Sequence, residues 1–127
     1  MKTTISDSER EVMRVLWQEG RPLSFTEIRK ALEPKTGWKK STIQTLVTRL
    51  KDKGAIIPQE NYVTLYTPNI TEEAHVQEEG QHFLNRLFGG SAKNLVAALY
   101  RGGKLGQEDV AELRDLLNQA CDEEEPQ

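Results

Sequence analysis

Ile43, Leu46, Val47 and Leu50 recur at i, i+3, i+4 and i+7, the spacing that a helix gathers into one buried stripe. The other side of such a helix carries Ser41, Thr45 and Thr48, flanked by Thr42, Gln44, Arg49 and Lys51, with Lys39 and Lys40 leading in. A merely solvated face is usually richer in Glu and Lys. This one is short, uncharged at its centre and basic at its ends. Short hydroxyl and amide side chains reach base edges in a DNA major groove, while Lys and Arg neutralise phosphates. A solvated helix remains the plain alternative, and the flanking segments decide between the two.

The chain has 127 residues, enough for one or two small domains. Hydrophobic residues make up 36% and charged residues 29%, which implies folding around modest cores. No apolar run approaches the roughly 18 residues of a membrane span. The start, Met1-Lys2-Thr3-Thr4-Ile5, lacks the apolar stretch of a signal peptide, so a cytoplasmic protein is expected. A single cysteine, Cys121, excludes an intrachain disulfide and a multi-cysteine metal site.

The net charge of −3 is unusual for a nucleic-acid binder until it is divided. Residues 1–70 hold 12 Lys/Arg against 8 Asp/Glu, a balance of +4. Residues 71–127 hold 5 against 12, a balance of −7. A basic half followed by an acidic half suggests a DNA-facing module and a second module that faces something else.

Two capping boxes punctuate the first half. Ser6-Asp7-Ser8-Glu9 starts a helix with Val12, Met13, Leu16 and Trp17 on one face, ending near Gly20. Arg21-Pro22-Leu23 reads as a connector, and Ser24-Phe25-Thr26-Glu27 starts a second helix with Ile28, Ala31 and Leu32 inward. Glu33-Pro34 is expected to stop that helix, leaving Lys35-Thr36-Gly37 as a loop and Trp38 packed where the third helix begins. Gly54 closes the third helix. Ala55-Ile56-Ile57-Pro58, the turn Gln59-Glu60-Asn61, and the alternating Tyr62-Val63-Thr64-Leu65-Tyr66 make a hairpin that Pro68 ends, with Pro58 marking its first strand as an edge. Three helices then a hairpin is the winged-helix order, whose third helix docks in the major groove. The hairpin tip carries Glu60 and neither Lys nor Arg, so little phosphate contact is expected there.

In the second half, Thr71-Glu72-Glu73 caps a helix to about Phe88 that brings Val76, Phe83, Leu84 and Leu87 near one another. Gly89-Gly90 breaks it, and Ser91 caps a short helix with Leu95, Val96 and Leu99. After Gly102-Gly103, Gln107-Glu108-Asp109 opens a last helix bearing Val110, Leu113, Leu116, Leu117 and Ala120, and Asp122-Glu123-Glu124-Glu125 reads as a frayed acidic tail. Three such helices bury too little to stand alone, and a second copy would supply the missing surface. A two-fold protein also matches a palindromic operator.

His75, Glu78, Glu79 and His82 share one side of the fourth helix, which invites a metal reading. The two histidines lie roughly 10 Å apart along the axis at 1.5 Å per residue, so they cannot hold one ion between them within one helix. A solvated polar face is the preferred reading. Cys121, crowded by carboxylates, makes a poor nucleophile and reads as a helix-end residue rather than a redox sensor. Trp17 and Trp38 read as core aromatics. No Ser/His/Asp set, phosphate-binding glycine loop or working carboxylate pair is present, so no enzyme, no catalytic residue, no metal and no cofactor are expected.

Read together, the motifs resemble the BlaI/MecI/CopY (penicillinase repressor) family of bacterial winged-helix repressors. The resemblance is carried by Ile5-Ser6-Asp7-Ser8-Glu9 with Val12-Met13 and Leu16-Trp17, and by Lys40-Ser41-Thr42-Ile43-Gln44-Thr45 with Arg49-Leu50. Lys53-Gly54-Ala55, Tyr66-Thr67-Pro68, Phe83-Leu84-Asn85-Arg86-Leu87-Phe88 and Leu113-Arg114-Asp115-Leu116-Leu117 continue it in order. It implies a mainly α chain with a small β-hairpin wing: a winged helix-turn-helix domain over 1–70 and a three-helix dimerisation domain with an acidic tail over 71–127. It further implies a homodimeric repressor on double-stranded DNA operators with TACA/TGTA-type half-sites, and sets Lys40 to Thr45 at the major groove. The expected DNA-binding residues are Lys39, Lys40, Ser41, Thr42, Gln44, Thr45, Thr48, Arg49 and Lys51, the short polar ones reading bases and the basic ones holding phosphates.

The family's induction signals do not carry over. Where penicillinase and methicillin-resistance repressors are cut at an Asn-Phe bond by a sensor-linked protease, this chain has Ala98-Leu99. The paired cysteines of copper-responsive members are absent, so any upstream sensor or protease is left open. The alternatives are a winged-helix module that docks another protein without an operator, or a metal-responsive repressor.

Overall fold

The computed structural model describes residues 4–124. Its elements run α1 (Asp7–Glu19), β1 (Leu23–Ser24), α2 (Phe25–Thr36), α3 (Lys40–Lys53), β2 (Ile56–Gln59), β3 (Leu65–Pro68), α4 (Glu72–Phe88), α5 (Ala92–Arg101) and α6 (Gln107–Glu124). The chain divides into two compact units between Gln77 and Glu78, inside α4. The first unit therefore takes in the start of α4.

Both capping boxes form. The Ser6 and Ser24 hydroxyls accept the amide hydrogens of Glu9 and Glu27, whose carboxylates accept those of Ser6 and Ser24 in return. Left-handed glycines close the first three helices, Gly20, Gly37 and Gly54, the last with φ 81°. The helices bury one continuous core: Val12, Met13, Val15 and Leu16 from α1, Ile28 and Leu32 from α2, Ile43, Leu46, Val47 and Leu50 from α3, with Ile5, Leu23, Ala55 and Ile56. Trp17, Phe25, Ala31, Trp38, Tyr66 and Ile70 pack around it, half-buried.

Three local expectations require correction. Proline does not stop α2: Pro34 lies inside the helix, which continues to Thr36. In the last turn a missing N–H forfeits a single intrahelical bond. That loss is offset where Gly37 N donates to Glu33 O at 3.0 Å and Thr36 Oγ1 to Leu32 O at 2.9 Å. The connector Arg21-Pro22-Leu23 ends in a strand. Leu23 pairs with Tyr66 and Ser24 with Leu65, giving a three-stranded antiparallel sheet in the order β1-β3-β2. The hairpin's second strand begins at Leu65, not Tyr62, because Gln59 pairs with Leu65 and residues 60–64 form the tip. Tyr62 there is fully exposed at 108%. Pro58 does lie on an edge strand, opposite Tyr66.

In the second unit the caps act as expected at Ser91, whose hydroxyl accepts from Asn94 N at 3.1 Å. Among the residues whose burial is described, neither α5 nor α6 has a buried one. Phe83, Leu87, Val96, Leu99, Tyr100, Val110, Leu116 and Leu117 are all exposed. The Ala98-Leu99 bond lies within α5, its backbone hydrogen-bonded in the helix. The acidic run is not a frayed tail as far as Glu124, since α6 continues through it with no glycine or proline to break it. Glu125 lies outside the described residues. Among those residues, no helix is long and apolar enough to cross a membrane.

Candidate nucleic-acid interface

The apolar stripe of α3 turns its whole polar face outward. Ile43, Leu46, Val47 and Leu50 are buried, while Lys39, Lys40, Ser41, Thr42, Gln44, Thr45, Thr48, Arg49 and Lys51 are all exposed. Every sequence-expected DNA-binding residue thus lies on or just before one helix, on its solvent side.

The two ends of α3 differ in charge chemistry. Lys39 stands at the N-cap and makes no side-chain capping bond, and the first turn holds no acidic residue. The unpaired amides of that turn, the positive end of the helix dipole, and Lys39 with Lys40 all favour an anion there. This contrasts with α1 and α2, whose capping boxes pair the N-cap and N3 amides and place a glutamate carboxylate in the first turn. At the C-terminal end, Lys51 and Lys53 face the negative end of the dipole.

Within the exposed face, Gln44 Nε2 donates to Thr48 Oγ1 at 3.3 Å, and Thr45 Oγ1 donates to its own helix at Ser41 O, 3.0 Å away. The Thr45 proton is therefore occupied and its methyl group is left for apolar contact. The Gln44 bond is long, so the amide is easily recruited elsewhere.

Sequence reasoning missed two neighbours of this face. Ser6 and Ser8, at the start of α1, join Trp38, Thr42, Thr45, Leu46 and Arg49 around an open cleft of about 340 Å³. The capping box marks Ser6 as a helix start, but which helix it lands beside is a tertiary fact. Arg49, on the shoulder of the α3 face nearest the buried stripe, lines this cleft and is exposed.

His75 requires a correction too. It is not on a solvated face: it is 4% exposed, accepts a hydrogen bond from Arg10 Nε at 3.0 Å, and lies 5.6 Å from the Trp17 ring. Trp17 Nε1 in turn donates to Ile70 O at 2.9 Å, so the start of α4 is fastened to α1. His82 and Cys121 are exposed.

The family model described as "Penicillinase repressor" matches residues 5–119. The chain belongs to the penicillinase repressor family. The penicillinase repressor of Bacillus licheniformis is 35% identical over 116 residues, covering 91% of this chain and 90% of that protein. The methicillin resistance regulatory protein MecI of Staphylococcus aureus strain N315 is 30% identical over 115 residues, covering 90% and 93%. Among solved structures, the DNA-binding domain of the repressor BlaI matches with 43% identity and a TM-score of 0.50, covering 57% of this chain and 90% of that one. The monomeric form of Bacillus licheniformis BlaI, in complex with the blaP half-operator, matches with 42% identity and the same TM-score of 0.50, covering 56% and 87%. The BlaI likeness, over 57% of this chain, agrees with the winged-helix architecture.

Proposed function

We propose that this member of the penicillinase repressor family is a cytoplasmic, homodimeric transcriptional repressor that reads a palindromic operator with the exposed face of α3. The observation that carries the reading is that face: five short uncharged side chains, Ser41, Thr42, Gln44, Thr45 and Thr48, exposed opposite four buried ones. Such side chains reach base edges, while Lys39, Lys40, Arg49 and Lys51 neutralise phosphates. Gln44 suits an adenine edge and the Thr45 methyl a thymine methyl, chemistry that fits TACA/TGTA-type half-sites. A relative's structure on a half-operator supports the same use of this domain. The exposed apolar residues of α5 and α6 support a partner of the same kind covering them. The domains in this reading are a DNA-binding winged helix over about residues 1–70 and a dimerisation domain over 71–127.

The hairpin tip favours a second reading. Glu60 and the exposed Tyr62 stand there with neither Lys nor Arg from Ala55 to Thr71, which suits docking to another protein better than to phosphate. A salt titration separates the two. Binding of the purified protein to a palindromic TACA/TGTA duplex is measured against a scrambled duplex. If each subunit neutralises about three phosphates, log K falls against log salt with a slope near −5, and the palindrome is preferred. Equal or negligible binding to both duplexes moves the function to protein docking.

A further inference from the structure

Four apolar residues press α3 into the core, and their packing sets its crossing angle only to within about 15–20°. A directional polar attachment at one end narrows that range. Among the described residues, Lys53 is the one α3 side chain hydrogen-bonded to another element; Gln44 and Thr45 bond only within the helix. Its Nζ donates to Glu9 Oε1 and, at 2.7 Å, to the Thr4 carbonyl. Glu9 is an unusual anchor: 1% exposed, and oriented by the Ser6 amide that its Oε1 also accepts in the capping box. The backbone just beyond α3 is held separately, where Asn69 donates to the Gly54 and Ala55 carbonyls. One attachment is a pivot, and two make a clamp.

We infer that the Glu9–Lys53 pair is a positioning device that sets the angle of α3 and thereby its discrimination between DNA sequences. The inference rests on the reading of α3 as the base-reading helix. Gln44 lies roughly 13 Å from Lys53 along the axis, so a tilt of about 5° at the Lys53 end moves Gln44 by about 1 Å. Hydrogen bonds to base edges tolerate only about half an ångström of spread in length, so a shift of that size breaks them. Phosphate contacts made by long flexible Lys and Arg side chains follow the helix and survive. Lys53 itself, already committed to Glu9 and Thr4, is a positioning residue and not a phosphate contact.

The test uses the full-length protein and three variants, Lys53→Met, Lys53→Arg and Glu9→Gln, each first checked for folding by circular dichroism at the assay temperature. Binding to the palindromic and scrambled duplexes is then measured across a salt series. The expected result is a roughly tenfold fall in the palindrome-to-scrambled ratio for Lys53→Met and Glu9→Gln, the size of losing one good base contact. The salt slope stays unchanged, and the ratio is kept by Lys53→Arg. An unchanged ratio in both folded variants makes the pair purely structural and overturns the inference. So does a Lys53→Met protein that weakens equally on both duplexes with a slope shallower by about 1 for each subunit, the signature of a phosphate contact. If the unsubstituted protein fails to discriminate, the base-reading function of α3 falls first and this inference falls with it.

Discussion

Arg10 Nε donates to His75 Nε2 at 3.0 Å, joining α1 to the first turn of α4 across 65 positions of sequence. For Nε2 to accept, the imidazole must be neutral, with its proton on Nδ1. The guanidinium also pairs with Asp7 at 3.0 Å, and the ring lies against Trp17. This small cluster ties the start of α4 to the first compact unit, which reaches Gln77, through His75, the one buried residue of that helix among those described.

Removing the acceptor should therefore loosen the winged-helix unit. His75→Ala leaves Arg10 Nε without this partner and opens space beside Trp17, and a loss of about 1–3 kcal/mol in unfolding free energy is expected. His75→Gln, whose amide oxygen can still accept, should lose less. Urea unfolding followed by tryptophan fluorescence measures both, and equal losses would show that the hydrogen bond does not matter.

Glu9 makes stability acid-sensitive. Burial pushes its carboxyl up, but hydrogen bonds from Lys53 and Ser6 and the Lys53 charge together outweigh burial and hold it below the usual carboxylate range. A carboxyl lowered in the folded state contributes stability that is fully present above its unfolded value, near about 4.3, and that fades as pH falls through the lower folded value. Unfolding free energy should accordingly drop more steeply below about pH 4 in the unsubstituted protein than in Glu9→Gln. Parallel pH profiles for the two proteins would remove Glu9 from the account.

Base readers and phosphate holders should separate cleanly. Gln44→Ala is expected to cost about 1–3 kcal/mol per half-site on the palindrome and little on scrambled DNA. Lys40→Ala should weaken both alike and make the salt slope shallower by about 1 for each subunit. Binding isotherms over a salt series check the division, which is wrong if the two substitutions behave the same way.

Much of this was legible in the sequence because the signals are local. Ser6 with Glu9 and Ser24 with Glu27 mark helix starts through bonds three residues apart, and both are made. The stripe of Ile43, Leu46, Val47 and Leu50 fixed which side of α3 faces out, and all nine expected DNA-binding residues are exposed. What was misread depends on distant partners. Leu23–Ser24 is too short to show a strand pattern and exists as one because β3 pairs with it. Pro34 carries a real local penalty that the cap at Gly37 and the burial of Leu32 override. His75 looks like one more polar residue on a helix until Arg10 and Trp17 meet it, and Lys53 finds Glu9 across 44 positions.

The helices of the second unit make the last prediction. Leu116 and Leu117 are 59% and 61% exposed on α6, and Val96 and Leu99 are exposed on α5, so a single chain leaves these side chains in water. Covering what each still exposes would contribute roughly 0.5–2 kcal/mol to association. Leu116→Asp should then leave the winged-helix unit folded, since that residue belongs to none of its core, while shifting the protein from dimer to monomer at micromolar concentration. Sedimentation velocity reads the change directly. The monomer should also bind the palindromic duplex with a salt slope about half that of the dimer, because only one set of phosphate contacts remains. A Leu116→Asp protein that sediments as a dimer would place the interface elsewhere on the second unit. If the unsubstituted protein is itself a monomer, those exposed leucines must be covered by something other than a second copy.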